Sequence, residues 1–195
     1  MKKTAIALGL AYAAAFSFAL FAQQRVDDGP QFTGTMLMRP ANYREWMFLS
    51  SGMGMTYAEP GAAPNPAPQF GNVYVNPSSY RAFMQTGRWP DRTMFVLEQR
   101  ASATEGSIVK GGRFQTALAG IEAEIKDSRV PGGWAFYFFG GPPQLRDAAA
   151  PLSGDAVAGC VECHTNNTAV ERTFVQFYPT LLDVARAKGT LKPGF

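Results

Sequence analysis

Cysteine and histidine are scarce in this chain. Its 195 residues include two cysteines, Cys160 and Cys163, and one histidine, His164. A structural zinc site uses four ligands, and the chain has no second pair to offer. A disulfide between the two cysteines would close a very small loop and contribute little stability. A thioredoxin-like redox pair would need a βαβ pattern around the cysteines and would not need the histidine. None of these alternatives accounts for both cysteines and the histidine together.

An excess of charge of one sign is also absent. The chain has 18 basic and 15 acidic residues. Two of the basic ones, Lys2 and Lys3, precede an apolar stretch over residues 5–22, which is the pattern of a secretory signal peptide. Removal of residues 1–22 would leave 16 basic residues against 15 acidic ones. The mature chain is therefore nearly neutral, and we expect it to bind neither nucleic acid nor anionic lipid.

Long apolar runs are missing after residue 22. We therefore expect residues 23–195 to form one soluble domain with no membrane contact after cleavage of the signal peptide. The alternative is an uncleaved anchor, because residues 5–22 just reach the length that spans a bilayer.

What the chain does contain is a compact motif, Cys160-Val161-Glu162-Cys163-His164. The pattern C-x-x-C-H is typical of haem c attachment, in which each thiol adds to one vinyl group of the haem and the histidine binds the iron as proximal ligand. One motif predicts one covalently attached haem. Because this attachment normally takes place outside the bacterial cytoplasm, the motif and the leader together predict a periplasmic protein.

A sixth ligand for the iron is hard to find. No second histidine exists, and no methionine follows His164. The upstream methionines are more often core residues than ligands. We therefore predict five-coordinate iron with an open distal face, which favours the binding of small ligands or chemistry over plain electron transfer. Plain electron transfer stays as a third possibility.

The chain ahead of the motif has the pattern of a sheet. Six prolines from Pro40 to Pro77, both included, exclude a bundle helix there. Alternation predicts strands over 92–100 and 115–126. A short strand is predicted over 72–75, and a dense aromatic run predicts another over 134–139. A helix is predicted from Pro77 to its end at Gly87. Further helices are predicted over 156–164, 168–177 and 180–188. The predicted fold is α+β: mainly an antiparallel β-sheet, with flanking helices and a C-terminal helical haem c segment.

An ordered set of segments carries a family resemblance over almost the whole mature chain. The segments are Asn42-Tyr43-Arg44-Glu45-Trp46, Asn72-Val73-Tyr74-Val75-Asn76-Pro77, Gly120-Ile121-Glu122-Ala123, Gly133-Trp134-Ala135-Phe136, the cysteine motif and Phe174-Val175-Gln176-Phe177-Tyr178-Pro179. In these segments the chain resembles the cytochrome P-460 family and its relatives, the cytochromes c′-beta. The resemblance implies a mainly antiparallel β fold that holds one haem c in the periplasm, usually as a homodimer. We also expect the protein to exchange electrons with a periplasmic redox partner.

Two reactive positions depart from the family pattern. Cross-linked members bind the haem ring through a lysine and oxidise hydroxylamine, and the resemblance puts Leu97 at that lysine position. A distal arginine of the family would fall near Gly71. Leucine has no nucleophile, so no cross-link can form from position 97. Lys110, in a Gly-rich loop, is the remaining candidate, but we expect it to be a solvated surface lysine.

The distal pocket can then be predicted in two ways. If Leu97 faces the haem, Phe95 shares its face, and with Phe70 or Met47 they would form an apolar cap suited to NO and CO, as the cytochromes c′-beta have. The alternative is that Phe95 is ordinary core. Glu122 matches the distal glutamate of the hydroxylamine-oxidising members, where it could accept protons; its alternative is a solvated strand edge with paired charges. The hypotheses are a gas-binding cytochrome and a hydroxylamine- or NO-oxidising enzyme.

Overall fold

The computed structural model describes residues 27–55, 65–106, 108 and 111–195. The predicted signal peptide and Lys110 lie outside these residues. The described part is α+β and mainly β, with two antiparallel sheets and three α-helices, as predicted.

The larger sheet has five strands that follow one another in the order β3-β4-β5-β6-β7. A smaller sheet has the order β1-β2-β8. The strands are β1 (Phe32–Thr33), β2 (Met36–Met38), β3 (Met47–Met53), β4 (Phe70–Val75), β5 (Met94–Ala103), β6 (Phe114–Lys126), β7 (Trp134–Gly140) and β8 (Ala148–Ala149). All four predicted strands are present in the larger sheet, and the two predicted from alternation, 92–100 and 115–126, correspond to β5 and β6.

Three helices flank the sheets: α1 (Pro77–Thr86), α2 (Asp155–Asn166) and α3 (Pro179–Lys188). Proline opens α1 and Gly87 ends it in the left-handed conformation at φ 69°, as predicted. Asn76 holds the N-cap position, but its side chain does not cap the helix; its Oδ1 accepts a hydrogen bond from the Met94 backbone N–H at 2.9 Å. No helix in the described ranges is long and apolar enough to cross a membrane.

The two faces of the larger sheet bury different cores. On the first face, Met94, Val96 and Ile121 pack against residues of the N-terminal segment such as Tyr43 and Trp46. On the second face, buried residues of the strands pack against the C-terminal third of the chain: Val75, Phe95, Trp134 and Phe136 meet Val170, Val175, Leu181 and Ala185. Helix α2, which carries the cysteine motif, lies against this second face through the partly buried Val157, Cys160 and Val161.

The predicted helix over 168–177 is wrong. This segment is a loop with an isolated bridge between Val170 and Thr173, a left-handed Glu171 at φ 51° and a short 3-10 turn at Val175–Phe177. The Thr168 hydroxyl donates to the His164 carbonyl, and the Thr173 hydroxyl donates to the Val170 carbonyl. Threonine hydroxyls that bond to nearby backbone groups compete with a helix. The loop turns the backbone carbonyl of residue 172 toward His164.

Candidate functional site

Helix α2 carries Cys160, Cys163 and His164 near its C-terminal end. The two cysteines are three residues apart, so they lie on one side of the helix, one turn apart. Neither is in a disulfide, and both are partly exposed. A bridge between them is therefore not part of the fold, and both thiols remain for other chemistry.

The imidazole of His164 is held in one orientation. Its Nδ1 lies 2.8 Å from the backbone carbonyl oxygen of Arg172. A carbonyl can only accept, so Nδ1 carries the hydrogen, and Nε2 has the lone pair that can bind a metal. The rings of Phe136 and Phe174 contact the imidazole edge-on, with centroids at 4.9 and 4.7 Å. Two aromatic rings and one backbone acceptor thus fix the histidine.

Glu124 is a site residue that the sequence analysis missed. Its Oε1 lies 3.1 Å from Nδ1 of His164, yet the hydrogen on Nδ1 points to the Arg172 carbonyl. Among the residues that the structure describes, this buried oxygen has no hydrogen-bond partner. Burial raises the pKa of Glu124, and the neighbouring His164 opposes that shift. Burial acts to lower the pKa of His164, but the Glu124 carboxylate outweighs it and the net shift is upward.

Cross-strand pairing arranges the second face of the sheet in rows. The Glu124 row runs from the predicted cap residue Met47 through Val75, Phe95 and Glu124 to Phe136, and the Glu122 row includes Val73, Leu97, Glu122 and Phe138. His164 lies over the Glu124 row, since it contacts Glu124 and Phe136. The Glu122 row follows two residues along each strand, about 6 to 7 Å away.

Glu122 lies beside Leu97 on the face that carries His164. It is partly buried, and its Oε1 accepts a hydrogen bond from the Gln99 side-chain amide at 3.0 Å. Burial raises the pKa of Glu122, while His164 pulls it down. Lys126 shares the face but does not pair with Glu122, because its ammonium donates to Glu171 and to the Trp89 carbonyl, both at 2.7 Å. The environment of Glu122 is therefore not a solvated edge of paired charges.

The structure does not bring together all the residues that were predicted to form the apolar cap. Phe95 shares the face of Leu97, but it is 5% exposed and packs against Trp89 and Trp134 in the core, with ring centroids at 4.8 and 6.4 Å. Phe70 pairs with Arg100 and so lies on the opposite face of the sheet. The expectation that Phe70 lies beside Leu97 is corrected by strand parity, because residues 70 and 97 belong to rows that point in opposite directions.

Phe138 lies beside Glu122 on the same face of the sheet, a position that the sequence analysis did not predict. It pairs with Glu122 in register and is 43% exposed. On the other side of Glu122, Leu97 fills the space above Gly71: its Cδ1 lies 3.2 Å from where a Cβ at residue 71 would be. A larger side chain at position 71 would require Leu97 to move.

The donor set fits a haem rather than a bare metal ion. Across the described ranges, no group of three His, Cys, Asp or Glu residues is arranged to hold a metal. Two free thiols on one side of a helix and a histidine with Nε2 available are the groups that would hold a haem at a C-x-x-C-H motif.

Comparison with known proteins agrees with this donor set. A search of curated proteins found no match. The family model for cytochrome P460 matches residues 40–175, a span that runs from the segment before β3 through helix α2 to Val175 and covers well over half of the chain. This chain therefore belongs to the cytochrome P460 family, whose members are haem cytochromes.

Proposed function

We propose that this chain is a periplasmic monohaem c-type cytochrome whose five-coordinate iron binds a small uncharged ligand such as NO or CO. Cys160 and Cys163 attach the haem, and His164 is its proximal ligand. The observation that carries the proposal is the position of Leu97 and Phe138 in the row next to the one that His164 contacts. When bound, the haem supplies an iron that takes up ligands and exchanges single electrons.

The residues around the site have distinct tasks. Arg172 holds the Nδ1 hydrogen of His164 through its backbone carbonyl, so that Nε2 is presented for the iron. Leu97 and Phe138 offer apolar surface, which excludes water and favours uncharged diatomic molecules over anions. His164 is the single histidine of the sequence, and among the described residues no methionine lies in the Glu122 row, which supports an iron with an open distal face.

A ligand titration tests this function. The reduced protein should bind NO and CO reversibly, and its spectrum before addition should be five-coordinate and high-spin. A six-coordinate, low-spin ferrous spectrum without any added ligand would show that the chain supplies its own sixth ligand, and it would end the gas-binding proposal.

One observation favours a second function. Glu122 is a partly buried carboxylate with a raised pKa on the face of His164, and Gln99 fixes one of its oxygens. Such a carboxylate can act as a proton acceptor. The corresponding activity is oxidation of hydroxylamine, in which loss of two electrons and two protons gives HNO. An external one-electron acceptor, the periplasmic redox partner, would take the electrons in two steps, and Glu122 would take the protons in turn and release them to solvent.

Glu122→Gln separates the two functions. If the chain oxidises hydroxylamine, reduction of an added dye by hydroxylamine should fall roughly 100-fold or more in this variant, which is the usual contribution of a general base. In the parent, the rate should rise with pH as Glu122 loses its proton. Because burial raises its pKa, that rise lies above the ordinary value of 4.5.

Glu162→Gln is the matched control, since Glu162 is an exposed carboxylate on helix α2. It should leave the dye reduction unchanged. Absence of any hydroxylamine turnover in the parent would end the enzymatic alternative and leave gas binding.

Export and assembly are part of the proposal. The basic residues and apolar stretch of the first 22 residues support export to the periplasm. A homodimer is supported by edge strand β3, where Phe48 and Met53 are about half exposed and lie on the same face. Light scattering of the mature protein should give twice the chain mass.

A further inference from the structure

The unpaired carboxylate oxygen behind His164 needs an explanation. Glu124 is 9% exposed, and its Oε1 makes no hydrogen bond within the part of the chain that the structure describes. An unsatisfied buried polar atom typically costs about 1–3 kcal/mol, and more when the group is charged. The fold nevertheless places this oxygen 3.1 Å from Nδ1 of His164.

The surroundings of Glu124 leave His164 as its natural partner. Its neighbours in register are Phe95 and Phe136, whose rings supply no hydrogen-bond donor. Lys126, on the same strand face, is held by Glu171 and the Trp89 carbonyl. The Arg172 guanidinium helps to lower the pKa of Glu124, but its nitrogens lie over Gly132, 2.9 Å from where a Cβ at residue 132 would be. The Nδ1 hydrogen of His164 is therefore the donor that Glu124 can share.

We propose that Glu124 is a positioning residue for the proximal histidine: its carboxylate shares the Nδ1 hydrogen of His164 with the carbonyl of Arg172 and so strengthens the bond from Nε2 to the haem iron. This inference rests on the proposed function, since it requires His164 to be the proximal ligand. A histidine that binds a metal commonly donates its other N–H to a carboxylate or a backbone carbonyl, which fixes the ring and makes it a stronger ligand. Here the Nδ1–H of His164 has both kinds of acceptor within reach, the Arg172 carbonyl and the Glu124 carboxylate.

The effect on the iron follows from charge. Partial transfer of the Nδ1 hydrogen toward a carboxylate raises the electron density on the imidazole, and a more electron-rich ligand favours ferric over ferrous iron. The positive charge of the iron would also compensate the charge of the buried Glu124 carboxylate. This explains why the described part of the protein can leave Oε1 of Glu124 without a hydrogen bond of its own. Glu124 thereby sets how readily the haem gives up one electron.

The test compares Glu124→Gln with the parent haem protein by resonance Raman spectroscopy and redox titration. The iron–histidine stretching band of the reduced variant should move to lower frequency. At a fixed potential the ratio of oxidised to reduced protein should fall about tenfold, equal to about 59 mV for a one-electron couple. Glu122→Gln is the matched control: it neutralises a carboxylate in the adjacent row, and it should leave the iron–histidine band in place.

Several results would overturn the inference. If Glu124→Gln lowers only the unfolding midpoint and leaves the band and the potential unchanged, Glu124 has a structural role alone. If Glu124→Gln yields no folded protein, Glu124→Asp replaces it. Aspartate keeps the charge, but its side chain is one methylene shorter, so the carboxylate lies farther from His164. An iron–histidine band at the parent frequency in that variant would also contradict the proposal.

The parent protein by itself tests the assignment of His164. A parent with an ordinary haemochrome and an iron–histidine band supports the proposed function whatever the variants show. A parent with haem but no such band would refute both the function and the role of Glu124.

Discussion

The double substitution Cys160→Ser with Cys163→Ser is expected to abolish covalently bound haem. Each thiol of a C-x-x-C-H motif forms one thioether bond with the haem, and a serine hydroxyl does not add to a vinyl group in this way. The two cysteines are free and lie one turn apart on helix α2. Denaturing electrophoresis followed by haem staining should give a strong band for the parent and none for the double variant.

Single substitutions refine this prediction. Each of Cys160→Ser and Cys163→Ser leaves one thiol, so staining should be reduced but present. Thr165→Ser on the same helix is the control; its hydroxyl bonds to the Val161 carbonyl, and serine can make the same bond. Haem that stays with the double variant after denaturation would require another covalent attachment point and would contradict the assignment of the motif.

Loss of the Glu98 carboxylate is expected to destabilise the fold strongly without changing the haem spectrum. Glu98 is 1% exposed on the first face of the sheet, away from His164. It accepts hydrogen bonds from Arg44 at 2.7 Å, from Arg100 at 2.6 Å and from the Tyr43 hydroxyl. Removing one partner of a buried ion cluster typically costs about 3–5 kcal/mol, because the remaining charges lose their compensation.

Denaturant unfolding at neutral pH measures this loss. Glu98→Ala should lower the free energy of unfolding by about 3–5 kcal/mol. Glu45→Ala is the matched control, because Glu45 is an exposed carboxylate next to Arg44, and it should change stability by less than about 0.5 kcal/mol. Equal effects of the two substitutions would show that the Glu98 cluster does not stabilise the fold.

The Glu98 cluster also predicts that the fold loses stability at acid pH. Burial by itself would raise the pKa of Glu98, but hydrogen bonds from Arg100, Tyr43 and Arg44 outweigh it and lower the pKa to about 2. A carboxylate with a lowered pKa stabilises the fold above its unfolded value, and this contribution is lost as the pH falls through the folded value. Stability should therefore decrease between about pH 4.5 and pH 2, and this decrease should be smaller in Glu98→Ala.

The strands were predictable because alternation is a local property. Residues 94–103 and 114–126 form strands largely where the pattern put them. What alternation cannot give is the contact made by each face, because both faces of this sheet are covered. A sequence does not contain the register of its strands, so it cannot show that Phe70 pairs with Arg100 and lies on the face opposite to Leu97. A shift by one residue is enough to reverse such an assignment.

The site was predictable only in part for a related reason. The C-x-x-C-H pattern is typical of haem attachment, so Cys160, Cys163 and His164 could be proposed from their spacing alone. Glu124 had the appearance of a surface residue between Glu122 and Lys126, and only the packing of helix α2 on the second face buries it. The Arg172 carbonyl could not be found either, since the loop that carries it was predicted as a helix, and backbone acceptors leave no mark in a sequence.

Optical spectroscopy of the reduced protein, before and after denaturation in alkaline pyridine, tests the central claim most directly. The native ferrous spectrum should be five-coordinate and high-spin, and the denatured protein should give an ordinary c-type pyridine haemochrome. A red-shifted chromophore that survives denaturation would contradict the account, because it would require a further covalent bond to the haem ring. A native six-coordinate, low-spin ferrous spectrum would contradict the open distal face beside Leu97 and Glu122.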